Sequence, residues 1–470
     1  MKLCLTLFFI TRIIFIIYMN LIYRTGFVLK RDYSQELITE TDIDKINFCE
    51  KVLLKFLTYF TSYDAIHFNY ISYKGYTNDR IFAFFPFFPY LSRIFSYIFK
   101  IFSFKNQFTP YILTGFLFSN LLCLYNSYLL KNLIFQLTDS KTKSNIAVFL
   151  FLINPGSIFY MAVYSENLYF TLELLFIKHL IEDKNSLWDF IKISIILICF
   201  LVTRSNGIIC LSFILIPIFQ KIFEQQKDKN KIFTNSFYSN LRILLSFIKN
   251  NLFFIFKYLI LIFIGLGIFI WMVRFRPYYI ICKYINQEIN QEEYYYQIYY
   301  DFCNKTPQNK VLNFYNYIQK EYWGVKFFNQ YQMKKINIIL QSFPINLIGL
   351  FVIYKSYQSF DFKSLFTKLN LYEFLFNKQT KGKNDINEKV FILGGLINFF
   401  VLYITILIIA YIGISNRLYT GHPLFYYWIV NEVYDYINEG KNKKGFLILL
   451  HFITFSLFYC VIHVGSYNGE

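Results

Sequence analysis

The chain has 470 residues, of which 56% are hydrophobic and 22% aromatic, and its formal net charge is +18. Apolar runs of roughly 18 or more residues recur along the whole length, and each is long enough to cross a bilayer as a helix. This composition argues against a soluble globular domain, and the missing polar–apolar alternation argues against a transmembrane barrel. The sequence therefore predicts an all-α polytopic membrane protein.

The basic residues collect in particular loops between the apolar runs, which argues against a nucleic-acid partner. An excess of lysine and arginine marks cytosolic loops, so the loops 223–249 and 357–389 are expected in the cytosol. The loop 275–334 between them carries five acidic residues and is expected to cap a site in the lumen. The loop 24–81 is expected on the same lumenal side.

The apolar runs predict about eleven transmembrane helices in a single domain that covers residues 1–470. The N-terminus is expected in the cytosol and the C-terminus in the lumen. The first run has no small-residue cleavage site and is expected to remain as an anchor. Asn154-Pro155-Gly156 interrupts one stretch, so 145–153 is expected to lie along the interface while 157–181 crosses. The predicted spans are residues 3–23, 82–103, 108–130, 157–181, 188–204, 206–222, 250–273, 335–356, 390–413, 421–437 and 445–463.

The first chemically informative motif is "YDAIHF" at 63–68, which is followed by "FAFFPFFP" at 82–89. It places Asp64 and His67 at the expected lumenal membrane surface. Pro86 and Pro89 are compatible with the first turn of a helix, and aromatic rings settle at the headgroup level. Taken singly, Asp64 is also compatible with a helix cap and His67 with a surface residue.

Ionisable residues also occur within or beside later apolar runs, in "YSEN" (164–167), "TRSNG" (203–207) and "SNRLYTGHP" (415–423). Such residues are costly at membrane depth and usually face a cavity and serve a site. The lumenal segment "YNYIQKEYWGVKFFNQY" (315–331) adds a cluster of aromatic residues. The candidates are Glu166, Arg204, Asn206, Trp323, Arg417 and His422. The alternatives are arginines that reach the headgroups and a glutamate that pairs for packing alone.

No metal site is predicted. Asp42-Ile43-Asp44 spells a DxD motif, but it lies in a charged stretch that is typical of a solvated segment. The eight cysteines form no CxxC pair. A disulfide between Cys282 and Cys303 is left open, as is glycosylation of the sequon at Asn304.

In order and spacing, six motifs resemble the PIG-V type of GPI mannosyltransferase 2, a family in the GT-C class of multi-span glycosyltransferases. The resemblance runs from about residue 55 to 430. The family motif begins Trp-Asp where this chain has Tyr63-Asp64, so the carboxylate is kept and the aromatic platform is altered. The motifs are "YDAIHF", "FAFFPFFP", "NPGSIFYMAVYSEN", "TRSNG", "YNYIQKEYWGVKFFNQYQ" and "NRLYTGHPLFYYW".

The resemblance implies a GT-C-like bundle in the endoplasmic reticulum membrane, with lumenal loops capping a lumenal active site. It implies transfer of the second mannose, in α-1,6 linkage, from dolichol-phosphate-mannose to the GPI-anchor precursor. The partners would be these two lipid-linked substrates, and a small accessory membrane subunit is left open. Dolichol-phosphate-mannose is a substrate, and no cofactor is expected.

This chemistry suggests a role for each candidate. The donor is β-linked and the product α-linked, so one inverting displacement suffices. Asp64 is predicted as the general base that takes the acceptor proton. Arg204 and Arg417 are predicted to stabilise the leaving phosphate, with His422 or His67 as hydrogen-bond partners.

The remaining candidates are assigned to substrate binding. Glu166 is expected to hold an arginine or to bind a sugar hydroxyl, and Asn206 belongs to the same motif as Arg204. Trp323 is expected to cover a mannose face, with filling of the lumenal cap as the alternative.

Three rival functions remain open on the sequence alone. The first is the same transfer to another acceptor, which only acceptor assays would distinguish from the function implied here. A transporter or scramblase would also place charged residues in the membrane, although no inverted repeat is visible. A structural subunit of a membrane complex is the third, and the intact Asp64 counts against it.

Overall fold

The computed structural model is helical and has no strand in the residues that it describes, which confirms the all-α prediction. The description covers residues 2–24, 46–77, 80–102, 104–229, 236–280, 314–375, 383–410, 412–440 and 442–465. The α-helices, numbered in chain order, are α1 (Lys2–Arg24), α2 (Phe48–Leu57), α3 (Asp64–Lys74), α4 (Phe87–Phe99), α5 (Thr109–Thr138), α6 (Lys141–Leu152), α7 (Glu166–Ile181), α8 (Leu187–Leu201), α9 (Leu215–Lys229), α10 (Phe237–Asn250), α11 (Leu252–Ile270), α12 (Arg276–Tyr279), α13 (Phe314–Trp323), α14 (Ile336–Gln358), α15 (Phe362–Lys368), α16 (Leu371–Leu375), α17 (Lys383–Ile408), α18 (Ser415–Tyr419), α19 (Pro423–Glu439) and α20 (Lys443–Gly465).

Seven helical segments of the described residues are long and apolar enough to cross a membrane. Each matches one of the predicted spans, and the count of eleven is not confirmed. The other four predicted spans contain α4, α7, α8 and α19, with 13, 16, 15 and 17 residues. At 1.5 Å per residue, helices of this length fall short of the roughly 30 Å hydrocarbon core. The seven segments are Lys2–Ile22, Thr109–Thr138, Ser205–Glu224, Leu252–Tyr279, Met333–Gln358, Ile386–Ile408 and Lys443–His463.

The predicted helix across 157–181 is wrong in its first part. A 3-10 turn occupies Ser157–Tyr160, and α7 begins only at Glu166, so this residue opens the helix and does not lie two turns inside it. Before α7 the backbone N–H of Val163 donates to the distant Phe60 carbonyl at 3.2 Å, a bond that a continuous helix would not make. The chain also packs closely at Gly156, where a Cβ atom would come within 3.0 Å of the Asn416 carbonyl oxygen. The segment around Gly156 is therefore shaped by its contact with the chain near α18.

The "FAFFPFFP" stretch starts a helix as expected, but later than predicted. Residues Arg80–Ala83 form a 3-10 turn, and α4 begins at Phe87 with Pro86 as its cap. The backbone N–H of Phe87 donates to the carbonyl of Val202 at 3.2 Å. This bond brings the aromatic stretch against the end of α8.

One end of the bundle holds six of the predicted site residues, namely Asp64, His67, Glu166, Arg204, Trp323 and Arg417. The first turn of α7, the residues after α8 and the C-terminal turn of α20 meet there. At the opposite end of α7, Lys257 Nζ lies 2.5 Å from Asp183 Oδ2. The two loops expected in the cytosol also meet, because Asn240 Nδ2 donates to the Lys368 carbonyl at 2.7 Å.

The helix that carries Asp64 is positioned by a buried carboxylate on α2. Glu50 accepts hydrogen bonds from the backbone N–H groups of Lys105 and Asn106, at 3.0 and 2.9 Å. It also accepts one from the Thr109 hydroxyl at 2.9 Å. A negative charge at the start of α5 is favoured by the helix dipole. This contact ties α2, and so the start of α3, to the bundle.

Candidate active site

The centre of the site is Asp64, the first residue of α3. Tyr63 before it has φ +57° and ψ −126°, a conformation that costs a side-chain-bearing residue about 1–3 kcal/mol. The Tyr63 hydroxyl donates to the Ile462 carbonyl at 3.3 Å, and its ring lies 5.8 Å from that of His463. The end of α20 therefore helps to hold the strained turn that aims Asp64.

Asp64 belongs to a continuous network of four charged side chains. Arg417 Nη1 donates to Asp64 Oδ2 at 2.6 Å, and Arg417 Nε lies 2.7 Å from Glu166 Oε1. Arg204 Nη1 donates to the same Glu166 oxygen at 2.5 Å. Side-chain exposure is 4% for Glu166, 15% for Arg204, 14% for Arg417 and 25% for Asp64. Asp64 is thus the member of the network that a substrate reaches most easily.

Neighbouring side chains hold the segment that carries Glu166, one of the two acidic residues of this network. The Asn167 amide, next to Glu166, donates to the Tyr160 carbonyl and to the Ser119 carbonyl, both at 2.8 Å. These bonds anchor the first turn of α7 to α5. Glu166 Oε2 is buried and accepts no hydrogen bond within the described residues.

Aromatic rings hold the two arginines in place. The Arg417 guanidinium carbon lies 5.4 Å from the ring centre of Phe159 and 5.5 Å from that of Tyr164. The Tyr164 hydroxyl donates to the Ser62 carbonyl at 2.9 Å. Arg204 lies 5.9 Å from the ring centre of Tyr169. Such cation–π contacts are worth roughly 2 kcal/mol when water is excluded, so these guanidinium groups are oriented before any substrate arrives.

Proton affinities at the site follow from burial and these charges. Burial raises the pKa of Asp64, but the charge and hydrogen bond of Arg417 outweigh it, so the pKa lies below its ordinary value. Burial lowers the pKa of His67 to about 4, against the opposing effect of Asp64. At neutral pH the site therefore presents an ionised carboxylate beside a neutral imidazole.

A second group of side chains borders Asp64 on the side of α13. His67 stacks on Phe84 with ring centres 4.7 Å apart, and the Trp323 ring lies 6.4 Å from His67 and 5.8 Å from Phe84. The structure thus places Trp323, from the expected cap segment, beside His67, one helical turn after the predicted base.

The structure places the other two candidates away from these contacts. His422 Nδ1 accepts from the backbone N–H of Leu424 at 3.2 Å and so caps α19. His422 Nε2 lies 3.6 Å from Glu173 Oε1, and both side chains are buried. Asn206 lies in the 3-10 helix Ser205–Ile214, whose first residue, Ser205, is hydrogen-bonded to the Tyr315 hydroxyl at 2.7 Å.

Sequence reasoning missed two charged residues near these candidates, Glu173 and Arg80. Glu173 follows Glu166 by seven residues, which places both on one face of α7, and this spacing was the available signal. Arg80 lies two residues before the aromatic run and had no other signal.

No group of three or more metal-ligating side chains occurs within the described ranges, and metal independence stays a prediction. The DxD at Asp42, the cysteines Cys282 and Cys303, and the sequon at Asn304 lie outside the described residues. The disulfide and the glycosylation therefore stay open, and the DxD stays a predicted solvated segment.

The site thus combines an accessible ionised carboxylate, which can accept a proton, with oriented guanidinium groups, which can stabilise an anion. No curated protein matches the chain. The family model of mannosyltransferase (PIG-V) matches residues 2–464, nearly the entire chain. The chain therefore belongs to the mannosyltransferase (PIG-V) family and is a glycosyltransferase of the multi-pass membrane type.

Proposed function

We propose that this enzyme transfers the second mannose, in α-1,6 linkage, from dolichol-phosphate-mannose to the GPI-anchor precursor. It does so at the lumenal face of the endoplasmic reticulum membrane. The observation that carries the proposal is the network of Asp64, Arg417, Glu166 and Arg204. It unites residues from four of the motifs on which the resemblance depends.

The reaction is a single displacement at the anomeric carbon of mannose. The acceptor hydroxyl oxygen forms the new bond to this carbon. The bond between this carbon and the phosphate oxygen breaks, and its electron pair stays on that oxygen. The phosphate leaves as a stabilised anion, so no second carboxylate is needed as an acid. The hydroxyl proton goes to Asp64, whose lowered pKa keeps it ionised and ready to accept.

Arg417 connects proton acceptance at Asp64 with binding of the donor phosphate. In the structure it binds Asp64 and Glu166 together. A donor phosphate that draws on the same guanidinium weakens its hold on Asp64. The pKa of Asp64 then rises, and the carboxylate becomes a stronger base when donor is present. Glu166 keeps both arginines in position throughout.

Substrate hydroxyls have suitable partners nearby. The buried Glu166 Oε2 lacks a donor within the described residues, and a mannose hydroxyl would satisfy it. Neutral His67 donates or accepts one hydrogen bond at the edge of Asp64. The Trp323 ring beside it offers an apolar face for a sugar ring.

The test is an acceptor assay with purified wild-type enzyme, dolichol-phosphate-mannose and a GPI precursor that carries one mannose. We expect one further mannose, α-1,6-linked, and the same rate in the presence of EDTA. Expression in cells that lack the second mannosyltransferase step should restore GPI-anchored proteins at the surface. Transfer only to another acceptor, such as a dolichol-linked oligosaccharide, would contradict the proposed function.

A further inference from the structure

Arg80 is a cation at the edge of the site that the mechanism above does not use. Its guanidinium carbon lies 5.5 Å from the ring centre of Trp323 and 5.8 Å from that of Tyr322. Its Nε atom is buried and donates no hydrogen bond within the described part of the chain. Arg80 thus contacts two aromatic residues of α13, and its Nε–H group has no acceptor within the described residues.

The charge of Arg80 is not balanced in the way that the other site arginines are. Arg417 and Arg204 both contact Glu166, and Arg417 also contacts Asp64. Two carboxylates and two guanidinium groups leave that network with no net charge. Across the described residues, no salt bridge joins Arg80 to a carboxylate.

Arg80 also lies close to the reacting centre. His67 is one helical turn after Asp64 on α3, and its ring contacts both Phe84 and Trp323. Trp323 in turn contacts Arg80. Arg80 is therefore linked to the predicted base through Trp323 and His67. It lies on the His67 side of Asp64, away from the Glu166 contacts of Arg417.

We infer that Arg80, held against Trp323 and Tyr322, binds a phosphate group of a lipid-linked substrate. This inference rests on the proposed function. Stacking on aromatic rings uses the faces of a guanidinium group and leaves the N–H groups in its plane to bind phosphate oxygens in bidentate fashion. The site next to Asp64 then gains the positive charge that its neutral network lacks.

Both lipid-linked substrates carry phosphate, so the experiment must separate the two sources. Initial rates of Arg80→Gln are measured with the donor varied at saturating acceptor, and then with the acceptor varied at saturating donor. We expect KM for one substrate to rise about 10-fold or more, as for the loss of a charge-assisted hydrogen bond, with kcat changed by less than about 3-fold. A rise in donor KM assigns the site to the donor phosphate, and a rise in acceptor KM assigns it to a phosphate of the GPI precursor.

Two variants control for folding and for charge. Arg80→Lys keeps the charge and loses the planar fork, so its KM should fall between wild type and Arg80→Gln. Arg93→Gln on α4 removes an arginine that lies against Gly75, at the end of α3 away from Asp64, and should leave both KM values unchanged. If Arg80→Gln does not fold, the Lys variant alone decides the question through its KM.

Unchanged KM values for both substrates in Arg80→Gln, or in the Lys variant where only that one folds, would overturn the inference. A loss of kcat alone would also overturn it, because that result describes a positioning role. These outcomes differ from failure of the proposed function, in which wild-type enzyme itself transfers no mannose to the GPI precursor.

Discussion

At the scale of single residues, the contact between Asp64 and Arg417 sets the proton affinity of the site. Their side chains are 353 positions apart in sequence and 2.6 Å apart in space. The guanidinium favours the ionised carboxylate and keeps the pKa of Asp64 below its ordinary value. The same pairing contributes stability to the folded protein above the unfolded pKa of about 4, and this contribution is lost as pH falls through the folded value.

This pairing predicts the acid limb of the pH–rate profile. In wild type, kcat/KM should stay level as pH falls toward about 4, because Asp64 remains ionised. Arg417→Gln removes the main favourable charge, so the pKa rises and activity should decline at higher pH. The measurement is kcat/KM for the donor against pH, which reports the enzyme before the donor binds.

Arg204→Gln is the matched control for that profile. It removes an arginine that contacts Glu166 and not Asp64, so its acid limb should move less. An acid limb at the same pH in wild type and Arg417→Gln would show that Asp64 is not the group that controls it.

At the scale of elements, the segment before α7 and the segment around α18 must fit closely for the network to form. A Cβ atom on Gly156 would approach Thr420 Oγ1 to 2.9 Å and the Asn416 carbonyl oxygen to 3.0 Å. Arg417 lies between these two residues, so displacement of this segment moves its guanidinium. Small shifts of a positioned group carry large catalytic costs.

Gly156→Ala should therefore lower both the thermal midpoint and kcat, with a loss in stability of about 1–3 kcal/mol from overpacking. Gly267→Ala on α11 is the matched control, because a Cβ atom there meets nothing within 4 Å. The measurements are thermal unfolding in detergent and turnover at saturating substrates. Equal behaviour of the two variants would contradict the close fit described here.

The sequence was informative about elements where apolar length or polar contrast was strong. Seven predicted spans correspond to long helical segments, and Glu166, Arg204 and Arg417 stood out because charges are rare in apolar runs. Four spans were not recovered at spanning length, and two of them, 82–103 and 157–181, are shortened by backbone turns before Pro86 and after Gly156. Arg80 was missed because its contacts arise only from neighbours that folding brings together, whereas Glu173 had a signal in its seven-residue spacing from Glu166.

At the scale of the whole molecule, the helices assemble the candidate site at one end of the bundle. The basic loops lie at the other end. The first turn of α7, the end of α8, α18 and the last turn of α20 converge on Asp64. Large apolar side chains remain exposed on the exterior of the spans. Membership of the mannosyltransferase (PIG-V) family agrees with this arrangement.

The central claim is that Asp64 accepts the proton of the attacking hydroxyl, and Asp64→Asn tests it most directly. Asparagine keeps the size of the side chain and removes the basic oxygen, so turnover should fall by about 100-fold or more. The lost ion pair with Arg417 should lower the thermal midpoint, while the protein still folds and donor binding is retained. Asp139→Asn, at the left-handed residue that ends α5, is the control and should keep full activity. Turnover of Asp64→Asn close to that of wild type would contradict the account.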